Sequence, residues 1–125
     1  MSRANEAPED EAASVEITPA MFHILLALAD GERHGYGIML EVERSTRGEM
    51  RLPPGTLYRS IKRLLGEGLI DEAASPLDEE VDDERRRYYE ISAAGRAAAQ
   101  EEARRLADIV GLARAKKLLD GQERA

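Results

Sequence analysis

The chain has 125 residues, 42% hydrophobic and 34% charged, with no cysteine and a formal net charge of −7. That balance is expected of one soluble, helix-rich domain, and the absence of cysteine removes disulfide frameworks and thiolate metal sites. The N-terminus lacks the basic and then apolar run of a secretory signal, and the longest apolar stretch, Ile24 to Ala29, falls far short of the roughly 20 residues of a membrane-spanning helix, so a cytoplasmic protein with no membrane partner is expected.

The net charge argues at first against a nucleic-acid partner, because DNA repels an acidic protein. Its distribution reverses the argument. Residues 1–17 hold five acids against one arginine, and Asp78 to Glu84 hold six acids in seven residues, which leaves the rest of the chain with a net +3. Residues 1–17 also carry almost no bulky apolar side chains, too few to offset the entropy of ordering them, so they read as a disordered acidic tail. The remaining residues, about 100, can build only a modest core, and burial against a second copy would add to it. A homodimer is expected on that ground.

In chain order, Thr18-Pro19 is a helix start, a capping hydroxyl followed by proline at the first helical position. Met21, Ile24, Leu25 and Leu28 then recur at helical spacing until Asp30-Gly31. The second helix is HGYGIMLEVERSTRG, with Ile38, Met39 and Val42 on one side and Gly48 at its end. The third lies within LPPGTLYRSIKRLLGEGLI, Leu52 to Ile70, entered through two prolines and left through Gly66 or Gly68. Two short strands follow, Leu69 to Ala74 and Arg86 to Ser92, joined by the acidic loop into a hairpin. Ser92 caps a last long helix rich in alanine and leucine despite Gly95 and Gly111. On it Ala99, Ala103, Leu106, Val110 and Ala113 step by four and three residues, the spacing of a narrow helix–helix seam and the candidate dimerisation residues. The fold class is therefore mainly α with a small β-hairpin (α+β): a winged helix-turn-helix over residues 18–92 and a C-terminal dimerisation helix over 93–121.

Three blocks, HGYGI at His34 to Ile38, LPPGTLYRSIKRLLGEGLI at Leu52 to Ile70 and RRRYYEISAAGR at Arg85 to Arg96, resemble those of PadR-like transcriptional regulators, in a short form with one C-terminal helix. The resemblance covers about residues 18–120. It implies a dimeric repressor that binds operator DNA and releases it when a small-molecule effector or another signal reaches the dimer interface. The absence of tryptophan and the single phenylalanine disfavour an aromatic-sandwich pocket for such an effector.

The third helix carries the DNA-binding candidates. At about 100° per residue, Leu57, Ile61, Leu64 and Leu65 share one sector, while Thr56, Arg59, Lys62 and Arg63 occupy the opposite one. Such a helix fits the major groove of double-stranded DNA, where Arg59 can bond a guanine edge at two points and the other groups can bind edges or phosphates. Tyr58 lies at the margin, its ring able to pack inward and its hydroxyl to reach a phosphate. Gly55 and Thr56 offer free backbone N–H groups at the helix entrance. Arg85, Arg86 and Arg87 add a second basic element on the hairpin, and Tyr36 either orients the second helix toward a phosphate or fills space beneath the third. One of Tyr88 and Tyr89 faces the core and the other faces out. His34 is expected at a helix start, and His23 as an ordinary helix residue.

A solvated face is the plain alternative for three cations on one helix. Their position just before a hairpin carrying three more favours DNA. The acidic hairpin tip departs from a groove-entering wing and reads as a solvated loop that suppresses non-specific binding; as a Ca²⁺ site it lacks the spacing and turn glycine of an EF-hand. Catalytic readings lack parts: no cysteine, two distant histidines, no phosphate-loop or nucleophile-elbow motif, and no cofactor is called for. The competing function is a winged-helix protein-interaction module whose third helix meets an acidic partner protein.

Overall fold

The computed structural model describes residues 16–73 and 87–119. The expected acidic tail up to residue 15, the acidic hairpin tip, and Arg85 and Arg86 lie outside the described residues. The elements are α1 (Pro19–Leu28), β1 (Arg33–His34), α2 (Gly35–Ser45), α3 (Pro54–Gly66), β2 (Ile70–Ala73), β3 (Tyr88–Ile91) and α4 (Ala93–Ala115).

Thr18 accepts a hydrogen bond from the Met21 N–H at 3.1 Å with Pro19 behind it, so α1 starts where its capping chemistry places it. Met21, Ile24, Leu25 and Leu28 are buried, together with Ala27. The far end of α1 is closed from outside the helix: Arg33 donates to the Ala27 carbonyl at 2.8 Å and Arg96, from α4, to the Ala29 carbonyl at 3.0 Å. Two cations thus satisfy C-terminal carbonyls where helix dipoles favour positive charge. Arg33 also lies 3.7 Å from Glu41 on α2, whose carboxyl is held below its ordinary range by two hydrogen bonds from Arg44 at 3.0 and 2.7 Å.

One core gathers Met21, Ile24, Leu25 and Leu28 of α1, Ile38 and Val42 of α2, Leu57, Ile61 and Leu64 of α3, and Leu69, Ile70 and Tyr89 of the sheet region. Met39 and Leu65, expected on the apolar sides of their helices, are only partly buried and pack against its edge.

The sheet corrects the expected two-stranded hairpin. It has three antiparallel strands in the order β1-β3-β2, with Arg33 opposite Tyr89 and His34 opposite Tyr88 on one side, and Ile70 opposite Ile91 on the other. A two-residue strand has no alternation to reveal it, and β1 forms because the chain between α1 and α2 passes the free edge of β3. Tyr89 points into the core and Tyr88 is partly exposed.

The end of α3 and the start of α4 are joined at one place. Gly68, at φ +76°, donates to the Leu65 carbonyl and Leu69 to the Leu64 carbonyl, the paired bonds of a Schellman ending that only a residue tolerant of left-handed backbone closes without strain. Ser92 then accepts from the Gly95 N–H at 3.0 Å, donates its hydroxyl to the Gly68 carbonyl at 2.7 Å and its N–H to the Leu69 carbonyl at 3.1 Å. Gly95 lies directly over Leu69; a Cβ there would overlap the Leu69 carbonyl oxygen and come within 2.9 Å of its carbon.

Gly95→Ala should therefore lower stability by about 1–3 kcal/mol or more in chemical denaturation, because backbone cannot yield as a side-chain tip can. Gly111→Ala, in the same helix with nothing within 4 Å of its Cβ position, should raise it by up to about 1 kcal/mol. Like effects at the two positions would contradict the described junction.

Candidate nucleic-acid interface

Two prolines open α3: Pro53 is the N-cap, without a side-chain capping bond, and Pro54 the first helical residue. Neither has an N–H, and the Leu57 N–H is taken by the Pro53 carbonyl at 2.8 Å. Among the described residues no acceptor takes the N–H of Gly55 or Thr56 at this helix entrance, and Gly55 is exposed.

Leu57, Ile61 and Leu64 anchor the inner face of α3, so Arg59, Lys62 and Arg63 are turned outward and exposed. Arg59 reaches back along the helix, donating to the Thr56 hydroxyl at 3.4 Å. No carboxylate of the described residues pairs with Arg59, Lys62 or Arg63, whereas Arg33, Arg44, Arg51 and Arg105 all have acidic partners. An open cavity of about 470 Å³ lies between the start of α1 and this face, lined by Thr18, Met21, Arg59, Ser60, Lys62 and Arg63. The outer face of α3 therefore presents three uncompensated cations beside two free backbone donors.

Tyr58 is partly buried and crosses to the start of α2: a Cβ built on Gly35 would meet its Oη at 2.7 Å and its Cε1 at 3.0 Å. The hydroxyl thus lies against the first turn of α2, and Gly35 is the residue that makes room for it. Tyr36 does not fill space beneath α3. It is 48% exposed and stacks on His34, ring centroids 6.5 Å apart, while His34 in turn meets Tyr88 edge-on at 5.5 Å. His34 also caps α2, its Nδ1 accepting from the Gly37 N–H at 2.8 Å. Tyr36, His34 and Tyr88 so form one outward aromatic group joining α2 to the sheet, which the chain spacing gave no means of foreseeing.

Arg87 is the described member of the hairpin cations. Its Nη1 lies 3.3 Å from Glu72 Oε2 on β2, so at least part of its charge is spent across the sheet, a consequence of strand register that the count of arginines hides. Of the seam residues on α4, Ala99 packs against the core edge, Leu106 and Ala113 are partly exposed, and Ala103 and Val110 are exposed. Only Gly95 of this helix is fully buried, and Ile109, Leu112 and Leu118 add further exposed apolar surface toward its end.

A helix held on its apolar side by two others, with a cationic outer side and a small antiparallel sheet following it, defines the winged helix-turn-helix class. The chain belongs to the transcriptional regulator PadR-like family, whose model matches residues 24–101. The fold is similar to that of a PadR family transcription regulator from hypervirulent Clostridium difficile R20291, at 24% identity over 78% of this chain and 97% of that one, with a TM-score of 0.64. It is also similar to a transcriptional regulator from Clostridium thermocellum, at 22% identity, 76% and 89% coverage and a TM-score of 0.64. Bacillus subtilis PadR, solved in complex with operator DNA, is similar at 19% identity over 66% of this chain and 46% of that one, with a TM-score of 0.56. No curated protein matches the chain. Among the described residues, no helix is long and apolar enough to cross a membrane.

The Gly35 and Tyr58 contact is testable by a double-mutant cycle. Gly35→Ala should destabilise by about 1 kcal/mol or more, and Tyr58→Phe, which removes the nearest atom, should recover part of that loss. Strictly additive effects in denaturant titrations would show that the two residues do not meet.

Proposed function

We propose that the protein is a repressor that binds a pseudo-palindromic operator in double-stranded DNA as a homodimer, one copy of α3 entering each of two successive major grooves. The observation that carries this reading is the division of α3: Leu57, Ile61 and Leu64 fixed in the core, Arg59, Lys62 and Arg63 outward and without carboxylate partners among the described residues. An unpaired guanidinium beside a hydroxyl acceptor is free to bond the O6 and N7 of a guanine, and Arg59 has that position near the helix entrance. Lys62 and Arg63 take phosphates, as do the N–H groups of Gly55 and Thr56. Tyr58 lies against Gly35 at the α2 start, Tyr36 is exposed in the same turn, and both bound the path of the backbone. Arg85, Arg86 and Arg87 serve as the basic element of the wing, with Arg87 weakened by its pairing with Glu72. The operator complex known for Bacillus subtilis PadR supports the same partner for this fold.

Residues 18–92 form the DNA-binding unit on this reading, and 93–121 the dimerisation segment, with α4 (Ala93–Ala115) as its helix. Among the described residues, the second half of α4 has no neighbour that covers Val110, Ile109 and Leu112, and Leu26 on α1 is likewise exposed. Pairing two chains along Ala99, Ala103, Leu106, Val110 and Ala113 buries part of that surface and sets the two α3 helices at a fixed separation. Release by an effector acting at this interface would follow from the same coupling.

Fluorescence anisotropy with genome-selected DNA across a salt series tests the residue roles. Arg59→Ala should cost about 1–3 kcal/mol per half-site and relax base preference. Lys62→Ala or Arg63→Ala should weaken binding to all sequences and reduce the slope of log K against log salt by about 0.9 per lost phosphate contact. Parent-like binding by all three at every salt concentration would transfer α3 to the protein-interaction reading.

Truncation after Gln100 keeps the Arg96 bond to Ala29 and the packing of Ala98 and Ala99 on the core, and removes the rest of the seam. The shortened chain should sediment as a folded monomer and bind DNA at least 10²-fold more weakly, since two linked half-sites gain about 10²–10⁴ in avidity. A shortened chain that stays dimeric would refute the seam.

A further inference from the structure

The cavity beside α3 has Thr18 on its rim. Ile17, one residue earlier, packs against the core, and Glu16 is exposed, so the chain preceding α1 departs from the edge of the cationic face itself. That preceding segment carries Glu6, Glu9, Asp10, Glu11 and Glu16 against Arg3 alone. The three cations across the cavity, Arg59, Lys62 and Arg63, have no carboxylate partner among the described residues. Charge sign, point of departure and lack of competing partners coincide at one place.

From these we propose that the acidic segment of residues 1–16 is an intramolecular competitor of DNA, its carboxylates taking the positions of backbone phosphates along the outer face of α3. The inference rests on α3 being the DNA-reading element. Reach is sufficient: at about 3.3–3.6 Å per extended residue, Glu11 can lie up to roughly 25 Å from Thr18 and Glu6 up to roughly 40 Å. The 13-residue α3 is about 20 Å long, so the acids between them can cover its whole length. A tether this short presents its charges at an effective concentration on the order of millimolar. Weak non-specific DNA binding has dissociation constants of about 10⁻⁴–10⁻⁶ M and is held by phosphate contacts alone, so the competition falls mainly on it. An operator complex adds base-edge bonds that a carboxylate cannot replace, and it displaces the segment. The consequence is higher selectivity for the operator over bulk DNA, without any contact that reads sequence.

The test compares the full parent chain with the full-length variant Glu6→Gln, Glu9→Gln, Asp10→Asn, Glu11→Gln, using a short random-sequence duplex as the probe in anisotropy titrations. The variant should bind roughly tenfold tighter at low salt, its affinity should fall more steeply with salt, and the two chains should converge where screening is strong. Genome-selected DNA should show a smaller gain. In ¹H–¹⁵N spectra of the DNA-free proteins, the amides of residues 59–63 should differ between parent and variant at low salt and coincide at high salt. Net charge alone is controlled by two pairs of equal charge change: Glu9→Gln/Asp10→Asn should raise non-specific affinity and Glu101→Gln/Asp108→Asn should not. Equal gains from both pairs, or coincident amide spectra with unchanged affinity, overturn the proposal while leaving DNA reading by α3 intact. Failure of both chains to bind any duplex overturns that reading itself and the competition with it.

Discussion

The carbonyl of Leu69 is the point on which the geometry of the molecule turns. It follows the last residue of α3 by three positions, precedes the first residue of β2, accepts the N–H of Ser92 and supports Gly95 of α4 in direct contact. With the Ser92 hydroxyl bonded to the Gly68 carbonyl, the cationic helix, the sheet and the long helix are tied within a few residues of one another. The contact links α4 to the end of α3 directly, beside the packing of Ala98 and Ala99 on the core. Glycine is required there because the two backbones approach more closely than a methyl group permits. Arg96 extends the same joint to α1 by bonding the Ala29 carbonyl at its end.

The rigid frame explains how a protein of net charge −7 presents a usable basic surface. Packing decides which side chains point outward: once Leu57, Ile61 and Leu64 are in the core, helical geometry leaves no other direction for Arg59, Lys62 and Arg63. Elsewhere on the molecule Arg33, Arg44, Arg51, Arg87 and Arg105 are neutralised locally, by Glu41, Glu43, Glu72 and Glu102, at distances between 2.6 and 3.7 Å. Exposed pairs of that kind contribute little to stability. Their effect here is on the field, since these acids are engaged away from the three cations of α3.

The parts of this arrangement that repeat at regular intervals could be read from the chain. Apolar spacing located the inner faces of all three helices of the domain, and Thr18, Ser92 and the paired prolines marked helix starts that the structure retains. What escaped are the features created by long-range approach. The strand at Arg33–His34 exists only because β3 passes beside it, and the partners of Arg33, Arg96 and Arg87 are set by tertiary neighbours and register, to which periodicity is blind. Gly95 looked like a weakness in a helix and is a contact. Gly35, grouped by sequence with Tyr36, serves Tyr58, which lies on another helix.

On the proposed reading two copies of α3, fixed by paired α4 helices, read DNA one helical turn or a multiple of it apart. Hydroxyl-radical footprinting on a fragment selected from genomic DNA by the purified protein tests it most directly. Two protected patches related by a pseudo-dyad are expected, centred about 10 base pairs apart or a multiple of that. A single protected patch, or protection without dyad symmetry on every fragment selected, would contradict it.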